Sequence, residues 1–179
     1  MARSRLADFR LHKDEYFRDG ANSPLDFDDV ERFEALDYFP ENAALAFVLD
    51  LDTDAPDTGD IVQLDTSDGL VVEFAKAGRV TFTVGDQQRS LTVLKDLHRG
   101  RFFLPFTDAT TGVETYEVGR YLDPQQNRDG QLIVDFNYAY NPYCAYGEGW
   151  SCPTPPAENH LNVRIEAGEK NFALRQSTQ

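Results

Sequence analysis

The side chains best able to do chemistry gather in one stretch. Between Asn137 and Asn159 the run NYAYNPYCAYGEGWSCPTPPAEN holds both cysteines, the only tryptophan, four tyrosines, three asparagines and four prolines. A connection this long in a compact chain is either functional or disordered, and its aromatic content argues for an ordered loop with a small core of its own. Cys144 and Cys152 enclose seven residues, a spacing that permits a disulfide-closed loop, a metal pair or two separate thiols. Zinc would need two further ligands. His160 lies at the same interval beyond Cys152, giving C-x7-C-x7-H, which is far from the close cysteine pairs of ordinary structural zinc sites. As a nucleophile either cysteine needs a base, and His98 and His160 are the distant candidates, His12 being placed on a charged helix. Two buried thiols acting as small hydrophobes is the plainest alternative.

A second constellation lies just upstream. Pairing Leu122 with Gln131 across the polar 124–130 turn sets Arg120 opposite Ile133, Val118 opposite Asp135 and Tyr116 opposite Asn137. Tyr116, Arg120, Asp135 and Asn137 would then share one face, with Arg120 and Asp135 as diagonal neighbours. A guanidinium there would hold a ligand carboxylate or phosphate while Asp135 orients it, and Asn141, Glu158 and Asn159 would reach the same hollow from the loop. The plainer alternatives are an ion pair that fixes strand register and a local cap at Glu158-Asn159. Asp108, Thr110, Thr111 and Gly112 read most simply as a turn. No GxSxG, HExxH, Walker or GxGxxG pattern occurs.

The elements that must position these groups follow from periodicity. Leu6, Phe9, Lys13 and Tyr16/Phe17 recur at helical spacing, with Gly20 as a stop. Asp28 with Glu31 forms a capping-box pattern ahead of Val30, Phe33 and Leu36, and Pro40 bounds this second short helix. From Leu45 the period becomes two, with Leu45, Phe47, Leu49 and Leu51 alternating against Ala46, Val48, Asp50 and Asp52. Further strands are expected over 61–66, 70–76, 79–84, 90–94, 102–106, 114–122 and 131–137. Asp68-Gly69 supplies one hairpin turn, and glycines at 78, 85 and 100 supply others. The fold class expected is mainly β: an antiparallel meander of about eight or nine strands, closed into a barrel or rolled into a sandwich, with two short N-terminal helices. The chain reads as a single domain, 1–179. Segment 1–40 packs on the sheet, 41–137 and 161–166 form the β core, 138–160 is the long loop, and 167–179 forms a short helix or a frayed end.

Charge narrows the function. Lys+Arg 17 against Asp+Glu 31 gives a net charge of −14, so nucleic acid is repelled as a partner. No stretch approaches the roughly 18 apolar residues of a membrane span, and the first residues carry no secretory pattern, so a soluble cytoplasmic protein is expected. Asp outnumbers Glu 20 to 11 and Arg outnumbers Lys 13 to 4, which suits a surface kept hydrated in a salt-rich cytoplasm. At about 1 M salt the Debye length falls to about 3 Å and the repulsion among surface carboxylates largely vanishes. The expected result is a melting temperature that rises from low to multimolar KCl, measured by calorimetry; an unchanged value would refute salt adaptation.

The segments FLPFTDATTGVETYEVGRYLD (103–123) and DFNYAYNPYCAYGEGWSCPTPPAENHL (135–161), with SPL at 23–25, DTSDG at 65–69 and EAGEK at 166–170, resemble the prokaryotic family DUF1684 over nearly the whole chain. Together with the charge, this is the profile of a haloarchaeal member. The resemblance implies no activity. Its pattern falls on Asp108, Tyr116, Arg120, Asp135, Asn137, Asn141, Cys144, Cys152, Glu158 and Asn159, and the family has Arg where this chain has His160, which argues against a zinc ligand. Three readings stand: a β-barrel-like binding domain or enzyme that takes a polar or anionic small molecule without a cofactor; a structural or partner-binding domain presenting Tyr140, Tyr143, Tyr146 and Trp150; and a metal or redox centre at Cys144 and Cys152. Burial of those aromatics beneath the loop would favour the first, and their exposure as a patch the second.

Overall fold

The computed structural model describes residues 4–172 and residue 174. Helix α1, Arg5–Asp19, begins at Ser4, whose hydroxyl accepts the Ala7 amide proton, and ends where the Gly20 amide reaches the Tyr16 carbonyl. The second helix is shorter than its capping pattern suggests: α2, Phe27–Val30, is a single turn. Phe33 and Leu36 are buried from non-helical chain instead. One turn is far below a self-supporting length, and the Leu36 amide donates to the Asp14 carboxylate on α1 (2.9 Å) rather than to a helical carbonyl.

Eight strands form two antiparallel sheets. In the larger, β2 (Ile61–Asp65), β3 (Val71–Val84), β4 (Gln87–Asp96), β5 (Phe102–Phe106) and β6 (Arg120–Leu122) lie side by side in chain order, a meander that curls into a half-barrel. In the smaller, β1 (Ala46–Leu49) pairs with β8 (Leu132–Asp135), which pairs with β7 (Gln125–Gln126). Inward side chains of the two sheets meet in the main core, with Val80, Phe82, Leu91 and Phe106 from one and Leu132 and Val134 from the other, all buried. Each such side chain stabilises the fold by roughly 1.5–3 kcal/mol. A second cluster under α1 joins Phe17, Leu25, Phe33, Leu36, Tyr146 and Phe172.

The structure departs from the strand expectations in three places. Gly78 does not turn the chain; it is a bulge at φ +144 inside the continuous β3. A Cβ there would lie 2.4 Å from the Asp52 carbonyl oxygen, and Asp52 exchanges both backbone hydrogen bonds with Arg79 beside it. Within 114–122 only β6 is strand, because the backbone folds on itself upstream: the Thr110 carbonyl takes the amides of Val113, Glu114 and Thr115. Finally, 161–166 is not a strand. It is tied by a lone parallel bridge between Thr107 and His160, and the Ile165 carbonyl is taken by a side chain. Of the C-terminal stretch, Ala167, Glu169 and Phe172 are buried, so this part is neither helix nor frayed; the remainder of that expectation falls mostly on residues 173 and 175–179, outside the described residues.

Candidate functional site

The register at Arg120 differs from the hairpin inferred above. Leu122 pairs with Leu104 and Arg120 with Phe106, while Gln125 and Gln126 pair with Ile133 and Leu132. The chain leaves one sheet at Leu122 and enters the other by Gln125, crossing at Asp123-Pro124. A turn-like sequence cannot distinguish a hairpin from such a crossing. Tyr116, Arg120, Asp135 and Asn137 therefore do not share a face, and Arg120 has a different acid.

Arg120 is fully buried, and its guanidinium donates to the carbonyls of Ile165 (2.9 Å), Ala167 and Glu169 (3.2 Å) and to the Asp108 carboxylate (3.2 Å). Burial pushes its pKa down, and Asp108 and Glu169 oppose that. Asp108 in turn accepts the amides of Thr110 and Ile165 and the hydroxyls of Thr110 and Thr111. Asn137 grips a remote peptide in the same manner: its Oδ1 accepts the Asn42 amide (2.8 Å) and its Nδ2 donates to the Asn42 carbonyl (2.9 Å) and to Asp135 (2.8 Å). Asn159 does so for Thr92, accepting its amide and donating to its carbonyl (both 2.8 Å) and to that of Pro105 (2.9 Å). Asn141 donates to the Lys170 carbonyl (2.9 Å). Glu158 is exposed and pairs with Lys76 (2.8 Å). Arg120, Asn137, Asn141 and Asn159 thus tie main chain to main chain, Arg120 and Asn141 both at 169–170, whereas Glu158 makes a surface ion pair.

One polar knot was not anticipated. Glu169, 1% exposed, accepts from Lys13, from the Tyr146 hydroxyl and from the Asn141 amide. Burial, then the nearby Glu169 charge, raises the Tyr146 pKa well above its usual value. The knot ties α1 to the loop and the C-terminal stretch. Its acid lies in EAGEK, far in sequence from its partners, so no local spacing announces it.

Two clefts border the loop. The first, about 730 Å³, opens between α1, β5 and the loop. Its walls are aromatic, with Phe102, Phe103, Tyr121, Tyr140, Tyr143 and Trp150, and α1 adds Phe9, Tyr16, His12 and Lys13. Tyr140, Tyr143 and Trp150 are half-buried, and Tyr146 is fully buried beneath them. Tyr143 meets Trp150 edge-on at 4.9 Å, and Tyr121 meets Tyr140 edge-on at 5.8 Å. The Tyr140 hydroxyl donates to Asp123 (2.7 Å), and Lys13 lies over its ring at 5.1 Å. Arg101 and Asp96 also contribute to the wall. Periodicity had marked Phe9 and Tyr16 as an apolar stripe for the core; they are 36% and 39% exposed and face this cleft instead.

The second cleft, about 860 Å³, is acidic, with Asp26, Asp28, Asp29, Glu117 and Glu148 facing one arginine, Arg32. Tyr116 and Cys144 lie in its wall. Both cysteines are free thiols. The Cys144 amide donates to Cys152 Sγ (3.3 Å), and the Tyr116 hydroxyl is 3.6 Å from Cys144 Sγ. His160 is exposed and its Nδ1 lies 2.9 Å from the Thr107 hydroxyl. Among the described residues no three His, Cys, Asp or Glu side chains converge as metal ligands, so Cys144, Cys152 and His160 are not brought together. Asp135 borders a third cleft with Tyr138 and Ile133.

Two antiparallel sheets, a capping helix and an ordered aromatic loop define a mainly antiparallel β domain whose clefts are built by its N-terminal helix and its long connection. The family is shown by residues 31–170, which match the model of DUF1684, a protein family of unknown function; the chain belongs to it. Among solved structures it is similar to the solution NMR structure of the uncharacterized protein from gene locus rrnAC0354 of Haloarcula marismortui. That protein is 33% identical, with a TM-score of 0.68 over 93% of this chain and 92% of the other. Among curated proteins none matches. No described helix is long and apolar enough to cross a membrane.

Proposed function

We propose that the protein binds a small molecule in the aromatic cleft between α1 and the loop. The observation that carries this reading is the placement of Tyr140, Tyr143 and Trp150: half-buried and turned into a hollow rather than displayed as an outward patch. A cleft of this size, mainly apolar with a few polar groups, is what a small planar ligand requires. Arg101, exposed at the wall, can pair with an anionic substituent on an aromatic body, while Asp96 and Asp123 offer acceptors to its polar groups. The ligand site expected from Tyr116, Arg120, Asp135, Asn137, Asn141, Glu158 and Asn159 is replaced in this reading, because none of those residues lines the aromatic cleft. We also propose a salt-adapted cytoplasmic setting, supported by the charge of −14 and by the haloarchaeal source of the similar structure.

Because Trp150 is the only tryptophan, its fluorescence reads the cleft directly. Titration with aromatic carboxylates should change its emission saturably and raise the melting temperature. Tyr143→Ala should weaken binding by about tenfold, the loss of one aromatic wall being worth roughly 0.5–1.5 kcal/mol beyond its buried area. No saturable change across aromatic carboxylates, amines and neutral aromatics alike would refute the proposal.

A further inference from the structure

The two clefts are separated by the cysteine pair: Cys152 borders the aromatic one and Cys144 the acidic one. Their settings differ. Cys152 is buried and pinned to the β2–β3 turn, its amide donating to the Ser67 hydroxyl (3.1 Å) and its carbonyl taking the Ser67 amide (3.0 Å). Cys144 is half-buried in a single 3-10 turn, Tyr143–Ala145, and its sulfur meets the Tyr116 hydroxyl on the cleft side. The contact between Cys144 amide and Cys152 sulfur holds the two residues face to face across seven intervening positions.

We propose that Cys144 and Cys152 form a redox-active dithiol that exchanges with small neutral or cationic disulfides, Cys144 attacking and Cys152 resolving. In the first step the Cys144 thiolate attacks one sulfur of R–S–S–R. The S–S bond breaks, and the departing thiolate takes a proton from solvent as RSH. In the second, Cys152 loses its proton to solvent and attacks Cys144 Sγ, displacing the other RS−, which takes up a proton. Starting from thiolate and thiol, the protein loses two electrons and one proton in forming one disulfide, and R–S–S–R takes up the two electrons, that proton and one more from solvent as two RSH.

The division of labour follows from the local fields. Cys144 is held down to about 6, first by the hydrogen bond from the Cys152 thiol and then by the Tyr116 hydroxyl, against the opposing effect of burial. The same hydrogen bond and burial push Cys152 upward. At neutral pH one sulfur is a thiolate and the other a thiol, which is what an attacking and a resolving pair require. Among the described residues the charged groups lining the cleft are Asp26, Asp28, Asp29, Glu117 and Glu148 against Arg32, which disfavours anionic disulfides at the mouth.

The test uses the reduced full-length protein with cystamine, bis(2-hydroxyethyl) disulfide and dithiodipropionate, followed by mass spectrometry and peptide mapping. Expected is a Cys144–Cys152 bridge, formed fastest with cystamine and slowest with dithiodipropionate, the spread narrowing at about 1 M salt. Cys152→Ala should trap a mixed disulfide at Cys144, whereas Cys144→Ala should react at Cys152 at least about 100-fold more slowly. If either variant fails to fold, differential alkylation of the unmodified protein carries the same test: iodoacetamide should label Cys144 first. Its rate should fall as pH drops through about 6. Equal labelling of both thiols, a Cys144 rate that keeps climbing through pH 8, no bridge with any of the three disulfides, or a bridge that dithiothreitol cannot open in the folded protein would each overturn the proposal.

Discussion

Arg120→Met is expected to lower the unfolding free energy by about 3–5 kcal/mol, the usual consequence of removing one partner from a buried ion pair. At this chain length that corresponds to a fall in melting temperature on the order of 10 °C. The substitution is close in volume, so the loss comes from polarity rather than from a cavity. Asp108, whose side chain is wholly buried, loses the facing guanidinium, and the carbonyls of Ile165, Ala167 and Glu169 lose a shared donor. Those carbonyls belong to a stretch outside both sheets, tied to other main chain only by single contacts such as the bridge between Tyr38 and Glu169, so Arg120 supplies part of what a neighbouring strand would normally provide. Adding Asp108→Leu to Arg120→Met should recover part of the loss, because an apolar pair of similar volume leaves no stranded charge. Chemical denaturation of the three variants decides it. A single variant within about 1 kcal/mol of the parent, less than even a typical point mutation does, would show that water or rearranged main chain satisfies these groups.

Asn159→Leu is expected to remove about 3 kcal/mol or more, since three buried backbone groups are orphaned at roughly 1–3 kcal/mol each. The reason lies in a gap between β4 and β5. These strands pair at Leu94–Phe103 and Lys95–Phe102, and further along β5 Pro105 breaks the ladder toward β4 while the strand itself continues against β6. A proline has no amide proton to continue the ladder. The side chain of Asn159 fills the gap as a detached peptide group, taking both backbone bonds of Thr92 and the carbonyl of Pro105. Asn159→Asp should be equally harmful, because it sets a carboxylate oxygen against two carbonyls. Hydrogen exchange should show the loss of protection centred on the Thr92 amide; unchanged protection there would refute this account.

How far the chain discloses its structure can be judged residue by residue. The short apolar run over 102–106 after the Gly100 turn and the turn at Asp68-Gly69 placed β5 and the β2–β3 hairpin correctly, since short apolar runs and turn chemistry are local properties. The two-residue period across 45–52 likewise located β1. The class, mainly antiparallel β with a capping N-terminal helix, followed from such local signals, as did the family, carried by the unusual run around Cys144 and Cys152. The polar residues were correctly singled out as abnormal for a surface, but their partners were not legible. The two terminal nitrogens of Arg120 are held from positions 165–169 and by Asp108, Asn137 from Asn42, and Asn159 from Thr92.

These pairings span 45 to 95 positions along the chain. A side-chain amide that replaces a missing strand has the same composition as one that awaits a ligand, and only the path of the backbone distinguishes them. The same holds for α1. Its stripe of Leu6, Phe9, Lys13, Tyr16 and Phe17 has helical spacing, yet Leu6 and Phe17 enter the core while Phe9 and Tyr16 line a cleft. Periodicity specifies which side chains share a face; how far that face is covered depends on where the loop comes to rest, and Glu169, holding Lys13 and Tyr146 together, fixes that from the far end of the chain.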